Sequence, residues 1–126
     1  MVLGLGTDIT EVPRIQASLH RYGQHFLDRV YTPGEIAYCH ARKKSSAQSF
    51  AARFAAKEAA AKALGTGISR GVTWRELEVV RHPGQAPQLV LHGRAAEVAQ
   101  ARGIRRLTLS LTHTRDTAMA VVVAED

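Results

Sequence analysis

The segment from Ala47 to Leu64, AQSFAARFAAKEAAAKAL, constrains this chain more than any other. Its alanine content favours a helix, and Gly65 supplies the residue on which helices commonly stop. With Phe50 set at 0°, Ala52, Ala55, Ala56, Ala59, Ala60 and Ala63 fall between roughly 140° and 280° around the axis. That face carries only methyl groups, so another backbone can come unusually close to it. The opposite side mixes Phe50, Phe54, Ala61 and Leu64 with Arg53, Lys57, Glu58 and Lys62. Charges therefore sit among large apolar groups instead of occupying a solvated face of their own.

Two spacings sharpen the anomaly. Glu58 and Lys62 stand four apart in the favourable order, a pair worth ~0.2–0.5 kcal/mol on an exposed helix, whereas Arg53 and Lys57 at the same spacing repel by a similar amount. Stability gives no reason for the second pair. An anionic ligand does, because two cations on adjacent turns can share phosphate oxygens. The competing reading lays these stems over Phe50 and Phe54 and sends their charges to water. Taken together, and followed by Gly65-Thr66-Gly67 with free backbone amides, the four charges favour the ligand. A magnesium ion bound with a polyphosphate takes only one or two carboxylates from protein. Glu58 is one candidate, and Asp8, in GTDI at the end of the first strand, is the other, although a lone Asp there also serves as a cap or turn residue. His113 reads either as an end-of-core residue or as a ligand. The other histidines are scattered, and neither a GxSxG elbow nor a Walker loop is present.

Around this helix the pattern predicts an α+β fold. Residues 2–9 read as a strand whose glycines mark a close approach of something to the backbone. Thr10 is expected to cap a helix with Pro13 in its first turn, Val12, Ile15 and Leu19 facing the core and Arg14, Ala17, Ser18 and Arg21 forming a polar strip. A short helix follows Gly23. Thr32-Pro33-Gly34-Glu35 opens another as a capping box, running to about Arg42, with Lys43 to Ser46 as a loop. Strands are expected near Leu77–Arg81 and Gln88–Leu91, a helix from Gly93 to Arg102, and strands at Arg106–His113 and Thr117–Ala124. Leu107, Leu109 and Leu111 alternate with Thr108, Ser110 and Thr112, the signature of a sheet with one buried face.

At 126 residues the chain suits one domain, 1–126, with enough core to fold without staples. A single cysteine, Cys39, excludes a disulfide framework and fits a reducing cytosol. With no apolar run near the ~20 residues of a membrane span and no signal-like N-terminus, a cytoplasmic protein that meets no membrane is expected. The formal net charge is +6, and residues 14–53 concentrate it: Arg14, Arg21, Arg29, Arg42, Lys43, Lys44 and Arg53 stand against only Asp28 and Glu35. With 6% aromatic residues and no glycine-aromatic tract, nucleic acid is not the expected partner. Charge alone reads first as a basic face that serves solubility, with phosphate ligands or an acidic protein as the sharper readings.

GLGTDITEVPRI (residues 4–15) and RFAAKEAAAKALGTG (53–67) resemble the two signature blocks of the stand-alone holo-acyl-carrier-protein synthases, the short class of 4′-phosphopantetheinyl transferases. Gly71-Val72-Thr73-Trp74, the Gly93 helix and SLTHTRDTAMAVVVAE (110–125) agree, so the resemblance spans nearly the whole chain. It implies the 4′-phosphopantetheinyl transferase fold, with an antiparallel sheet packed on the long helix. It implies transfer of phosphopantetheine from coenzyme A to a serine of apo acyl carrier protein, with Mg²⁺, a homotrimer and a coenzyme site between neighbouring subunits. By the same resemblance Asp8 and Glu58 are the metal-binding carboxylates; the chemistry of the transfer makes Glu58 the candidate to accept the serine proton and Lys62 the cation that neutralises the departing phosphate, so these two are the catalytic candidates. Lys62, Gly65 and Thr66 lie around the coenzyme's phosphates, Arg53 and His113 near its nucleotide end, and Arg14 and Arg21 on the surface that meets the acidic carrier. Ala60 and Ala61 stand where the family commonly has bulkier residues, and Thr112 where it often has serine; these departures bear on pocket shape. The alternative is a non-catalytic basic adaptor that docks acidic carriers or RNA through residues 14–53. An enzyme needs Mg²⁺ and coenzyme A to modify a carrier, whereas an adaptor binds without either.

Overall fold

The computed structural model describes residues 1–126. Strand β1 (Val2–Glu11) leads into helices α1 (Val12–Tyr22), α2 (Gln24–Val30), α3 (Pro33–Ala41) and α4 (Ser46–Leu64). The second half holds β2 (Leu77–Val80), β3 (Gln88–Leu91), α5 (Gly93–Ala101), β4 (Arg106–His113) and β5 (Thr117–Glu125). The expected α+β class holds, with two separate antiparallel sheets: β1-β5-β4 and the hairpin β2-β3. The first strand thus pairs with the last, from Val2 opposite Glu125 to Glu11 opposite Thr117. No helix is long and apolar enough to cross a membrane.

α4 runs through both halves of the core. Its alanines from Ala55 to Ala63 pack against Ala120, Val122 and Ala124 of β5, Leu109 of β4 and Leu77 and Val79 of β2. Its first turns, with Phe50, Ala51 and Ala52, join Val12 and Ile15 of α1, Leu27 and Val30 of α2, and Tyr31 and Cys39. Thirteen of its nineteen residues are buried, so this helix has almost no solvated side. That explains why its charges lie among apolar groups. Cys39 is fully enclosed, and burial pushes its thiol up to about 12, leaving it protonated and inert.

The close approach read from glycine and alanine is present, and it joins β1 to α4. A Cβ on Gly4 would collide with the Ala63 carbonyl oxygen, and one on Gly6 with that of Ala59. Two strand residues advance about 6.8 Å and four helix residues about 6 Å, so the two backbones stay in step. Alternation puts Asp8 on the α4 side with Gly4 and Gly6, and turns Leu5 and Ile9 outward to solvent.

One local expectation changes. Thr10 does not cap α1: the β1-β5 ladder continues through Glu11, so Thr10 stays in the strand, is buried, and donates its hydroxyl to Asp8 Oδ2 at 2.9 Å. Glu11 takes the capping position without a side-chain bond. The Thr32–Glu35 capping box forms as expected, but its acid is buried and has further partners.

Gly6→Ala should therefore lower stability by about 3 kcal/mol or more, because backbone cannot yield to the added methyl. Gly84→Ala, in a turn at φ 74° with nothing near the added carbon, should cost only ~1–2 kcal/mol of left-handed strain. Urea unfolding of the two variants measures the contrast.

Candidate functional site

The four charged residues of α4 go to different places. Lys62 is half exposed; its Nζ donates to the Thr7 carbonyl at 2.9 Å and lies 3.4 Å from Asp8 Oδ1. The stretch of β1 held against α4 by its glycines therefore delivers Asp8 to the helix face that carries Lys62. Glu58, one turn earlier on that face, is half-buried and accepts a hydrogen bond at Oε1 from the Trp74 indole at 3.2 Å. Its Oε2 has no protein partner. The Glu58–Lys62 pair expected from spacing does not form, because Lys62 is drawn across to β1. Asp8 and Glu58 offer hard oxygen donors of the type Mg²⁺ takes. No cluster of three or more His, Cys, Asp or Glu side chains is poised for a metal, so any ion here would draw its remaining ligands from water and substrate.

Lys57 points the other way, which corrects the expectation that it shares phosphate with Arg53. Its ammonium is fully buried and its three protons are all placed: on Glu35 Oε1 at 2.7 Å, and on the carbonyls of Trp74 and Leu77 at 3.0 Å each. Burial pulls the Lys57 ammonium below its ordinary value, and the Glu35 carboxylate opposes that shift. Glu35 also accepts from the backbone of Thr32 and Val79. The pair is a staple joining α3, α4 and β2.

Arg53 is 4% exposed, lies 4.0 Å over the Tyr38 ring, and leaves its Nε buried without a partner. It lines a cavity of about 420 Å³ with Tyr38, Arg42, Arg81, Thr112 and His113. Arg53 and His113, which the resemblance puts at one end of the coenzyme, line the same cavity; Arg42 and Arg81 join them, and their only signal in the sequence is basic charge beside element ends. Three arginines and a histidine around one opening make it suited to an anion.

The amides of Gly65-Thr66-Gly67 are not free, a second correction. Gly65 sits at φ 83° and its N–H bonds the Lys62 carbonyl, while those of Thr66 and Gly67 both bond that of Ala61. They close the C-terminus of α4, where carbonyls would otherwise be unpaired. Arg102 adds its guanidinium to the Leu64 carbonyl. Gly65 and Thr66 still line an open cavity of about 450 Å³ with Arg70, Arg94 and Arg102. On α1, Arg14 and Arg21 are exposed, with Ser18 between them half-buried.

A strand locked onto an alanine helix thus brings Asp8 to the face that carries Glu58 and Lys62, and the same helix lends Arg53 to a basic cavity. The sequence model of the 4′-phosphopantetheinyl transferase superfamily matches residues 4–122, and this chain belongs to that family. A holo-[acyl-carrier-protein] synthase of Koribacter versatilis is 56% identical over the full length of both chains. The crystal structure of the Neisseria meningitidis holo-[acyl-carrier-protein] synthase is similar with a TM-score of 0.89 and 37% identity, covering 100% of each chain. The Helicobacter pylori holo-[acyl-carrier-protein] synthase in complex with coenzyme A has a TM-score of 0.84 and 33% identity, covering 96% of this chain and 99% of its own.

The two lysines should separate in a stability measurement. Lys57→Met leaves Glu35 buried without its counter-ion and should cost about 3–5 kcal/mol, while Lys62→Ala, at an exposed pair, should cost less than about 1 kcal/mol. Equal costs in denaturant titrations would contradict this division.

Proposed function

We propose that this chain transfers 4′-phosphopantetheine from coenzyme A to a serine hydroxyl of apo acyl carrier protein. The serine oxygen forms a bond to the phosphorus that carries pantetheine, the diphosphate bridge breaks, and adenosine 3′,5′-bisphosphate leaves. The observation that carries the reading is the Lys62–Asp8 pair across the β1-α4 contact, with Glu58 one turn away, in a member of this family. Asp8 and Glu58 are the residues that would hold Mg²⁺, which when bound draws charge from the diphosphate oxygens. Lys62 neutralises negative charge gathering on the departing bisphosphate. Glu58 is the nearest carboxylate to accept the serine proton.

Arg53 and His113, with Arg42 and Arg81, receive the phosphorylated nucleotide end. The lining of the cavity they share supports this, since three guanidiniums and an imidazole gather around one opening. Lys57 has no part in binding coenzyme A. Gly65 and Thr66 border the phosphates by shape and side chain, not by their amides. Arg14 and Arg21 face the carrier, an acidic protein steered by long-range attraction.

A homotrimer is supported by the outward stripe of Leu5 and Ile9 on β1 with Met119 opposite Ile9 on β5, exposed apolar surface of the kind subunits cover. One domain over 1–126, a cytoplasmic location and a role in fatty-acid and lipid metabolism complete the reading.

Mass spectrometry of apo carrier incubated with the protein, coenzyme A and Mg²⁺ tests it. The carrier should gain one phosphopantetheine, and Asp8→Ala or Glu58→Ala should abolish the gain while both variants stay folded. Carrier binding without any mass gain would overturn the enzyme in favour of an adaptor. In the same assay Arg14→Glu should weaken the carrier's apparent affinity at low salt, with the difference shrinking as ionic strength rises.

A further inference from the structure

Trp74 is gripped from both ends by neighbouring residues of α4. Lys57 turns inward and donates to its main-chain carbonyl at 3.0 Å, while Glu58, the next residue, turns outward and accepts from its indole nitrogen at 3.2 Å. Phe54, one turn before Glu58, stacks on the ring with centroids 6.3 Å apart and planes 28° apart. The Arg29 guanidinium lies 5.6 Å from the ring centroid. The segment bearing Trp74 is itself fixed, because a capping box between Thr73 and Glu76 closes its turn. A partly buried indole seeks some acceptor for its N–H. Here the acceptor is the one carboxylate of α4, and Phe54 and Arg29 flank the ring on the way to it.

From this we infer that Trp74 is a positioning residue: its indole N–H occupies Oε1 of Glu58 and fixes the carboxylate with Oε2 left for the metal. The inference rests on the reading of Glu58 as a metal-binding carboxylate. A carboxylate on a flexible side chain loses rotamer freedom when it ligates, and a neighbour that holds it beforehand removes part of that loss. The buried Lys57–Glu35 staple acquires a second consequence: by anchoring the Trp74 backbone it sets the position of the donor. Glu58 is oriented through residue 74 by the lysine that precedes it.

Trp74 is the sole tryptophan, so it reports on its own contact. Mn²⁺, which also prefers oxygen ligands in octahedral arrangement, is titrated into the full-length protein with coenzyme A held constant. Binding is followed by electron paramagnetic resonance and by tryptophan fluorescence. In the unaltered protein the fluorescence should change with the same midpoint as Mn²⁺ binding. Trp74→Phe, which keeps an aromatic ring on Phe54 but has no N–H, should raise the Mn²⁺ dissociation constant about 10-fold or more. In transfer assays the Mg²⁺ concentration for half-maximal rate should rise with it, and turnover should recover at high Mg²⁺ while the KM for carrier stays put. A merely structural role for the ring would lower the folded fraction without moving that midpoint.

If Glu58→Gln weakens Mn²⁺ binding and Trp74→Phe does not, the positioning role is overturned and the metal reading stands. If Glu58→Gln binds Mn²⁺ as the unaltered protein does, the metal reading falls and this inference with it. Should Trp74→Phe fail to fold, the fluorescence still decides: Mn²⁺ binding without any tryptophan response overturns the proposal.

Discussion

The contact between the β1 backbone and the α4 backbone is the constraint on which the rest of the structure depends. It exists because Gly4 and Gly6 lack the carbon that would strike the carbonyls of Ala63 and Ala59, and because α4 presents methyl groups there instead of longer side chains. Side chains normally stand between packed elements; here carbonyl oxygens of the helix lie where the strand's Cβ atoms would be. The consequence is chemical as well as structural. Asp8, two residues beyond Gly6 on the same face, reaches Lys62 directly, so groups far apart in sequence share one surface without any intervening loop. Such a site sits on rigid elements, which fixes its geometry better than mobile loops can.

Around that contact, α4 distributes its charges by direction. Arg53 turns to the cavity above Tyr38, Lys57 to the interior, Glu58 to Trp74, and Lys62 to β1. The interior lysine is tolerable only because Glu35 and two carbonyls accept its three protons. On the proposed function its neighbours face substrate instead. One helix then joins a buried polar staple to the reacting surface, with residue 74 bonded to both.

Much of this was legible in the sequence. Glycines in a strand and a methyl face on a helix both announce close packing, because nothing else explains the absence of side-chain bulk in two complementary places. The capping box at Thr32, the stop at Gly65 and the alternation of Leu107, Leu109 and Leu111 follow from local rules that tertiary packing did not override. The fate of Lys57 was not legible. Helical spacing places residues around an axis but does not distinguish inward from outward when nearly every direction is buried, and its partner Glu35 lies on another helix. The amides of Gly65 to Gly67 looked free because a capping motif and a phosphate cradle share the same glycines. Trp74 carried no periodic signal, since it stands in a short turn between elements.

On the proposed function, the backbone contact at Gly4 and Gly6 makes Asp8 and Glu58 two ligands of one divalent cation. A crystal structure grown with Mn²⁺ and coenzyme A, read by anomalous scattering at the manganese edge, tests this most directly. A single strong peak is expected, bonded to carboxylate oxygens of both residues and to diphosphate oxygens of the coenzyme. A peak bound to neither acid, or to only one with the other turned away, would contradict it.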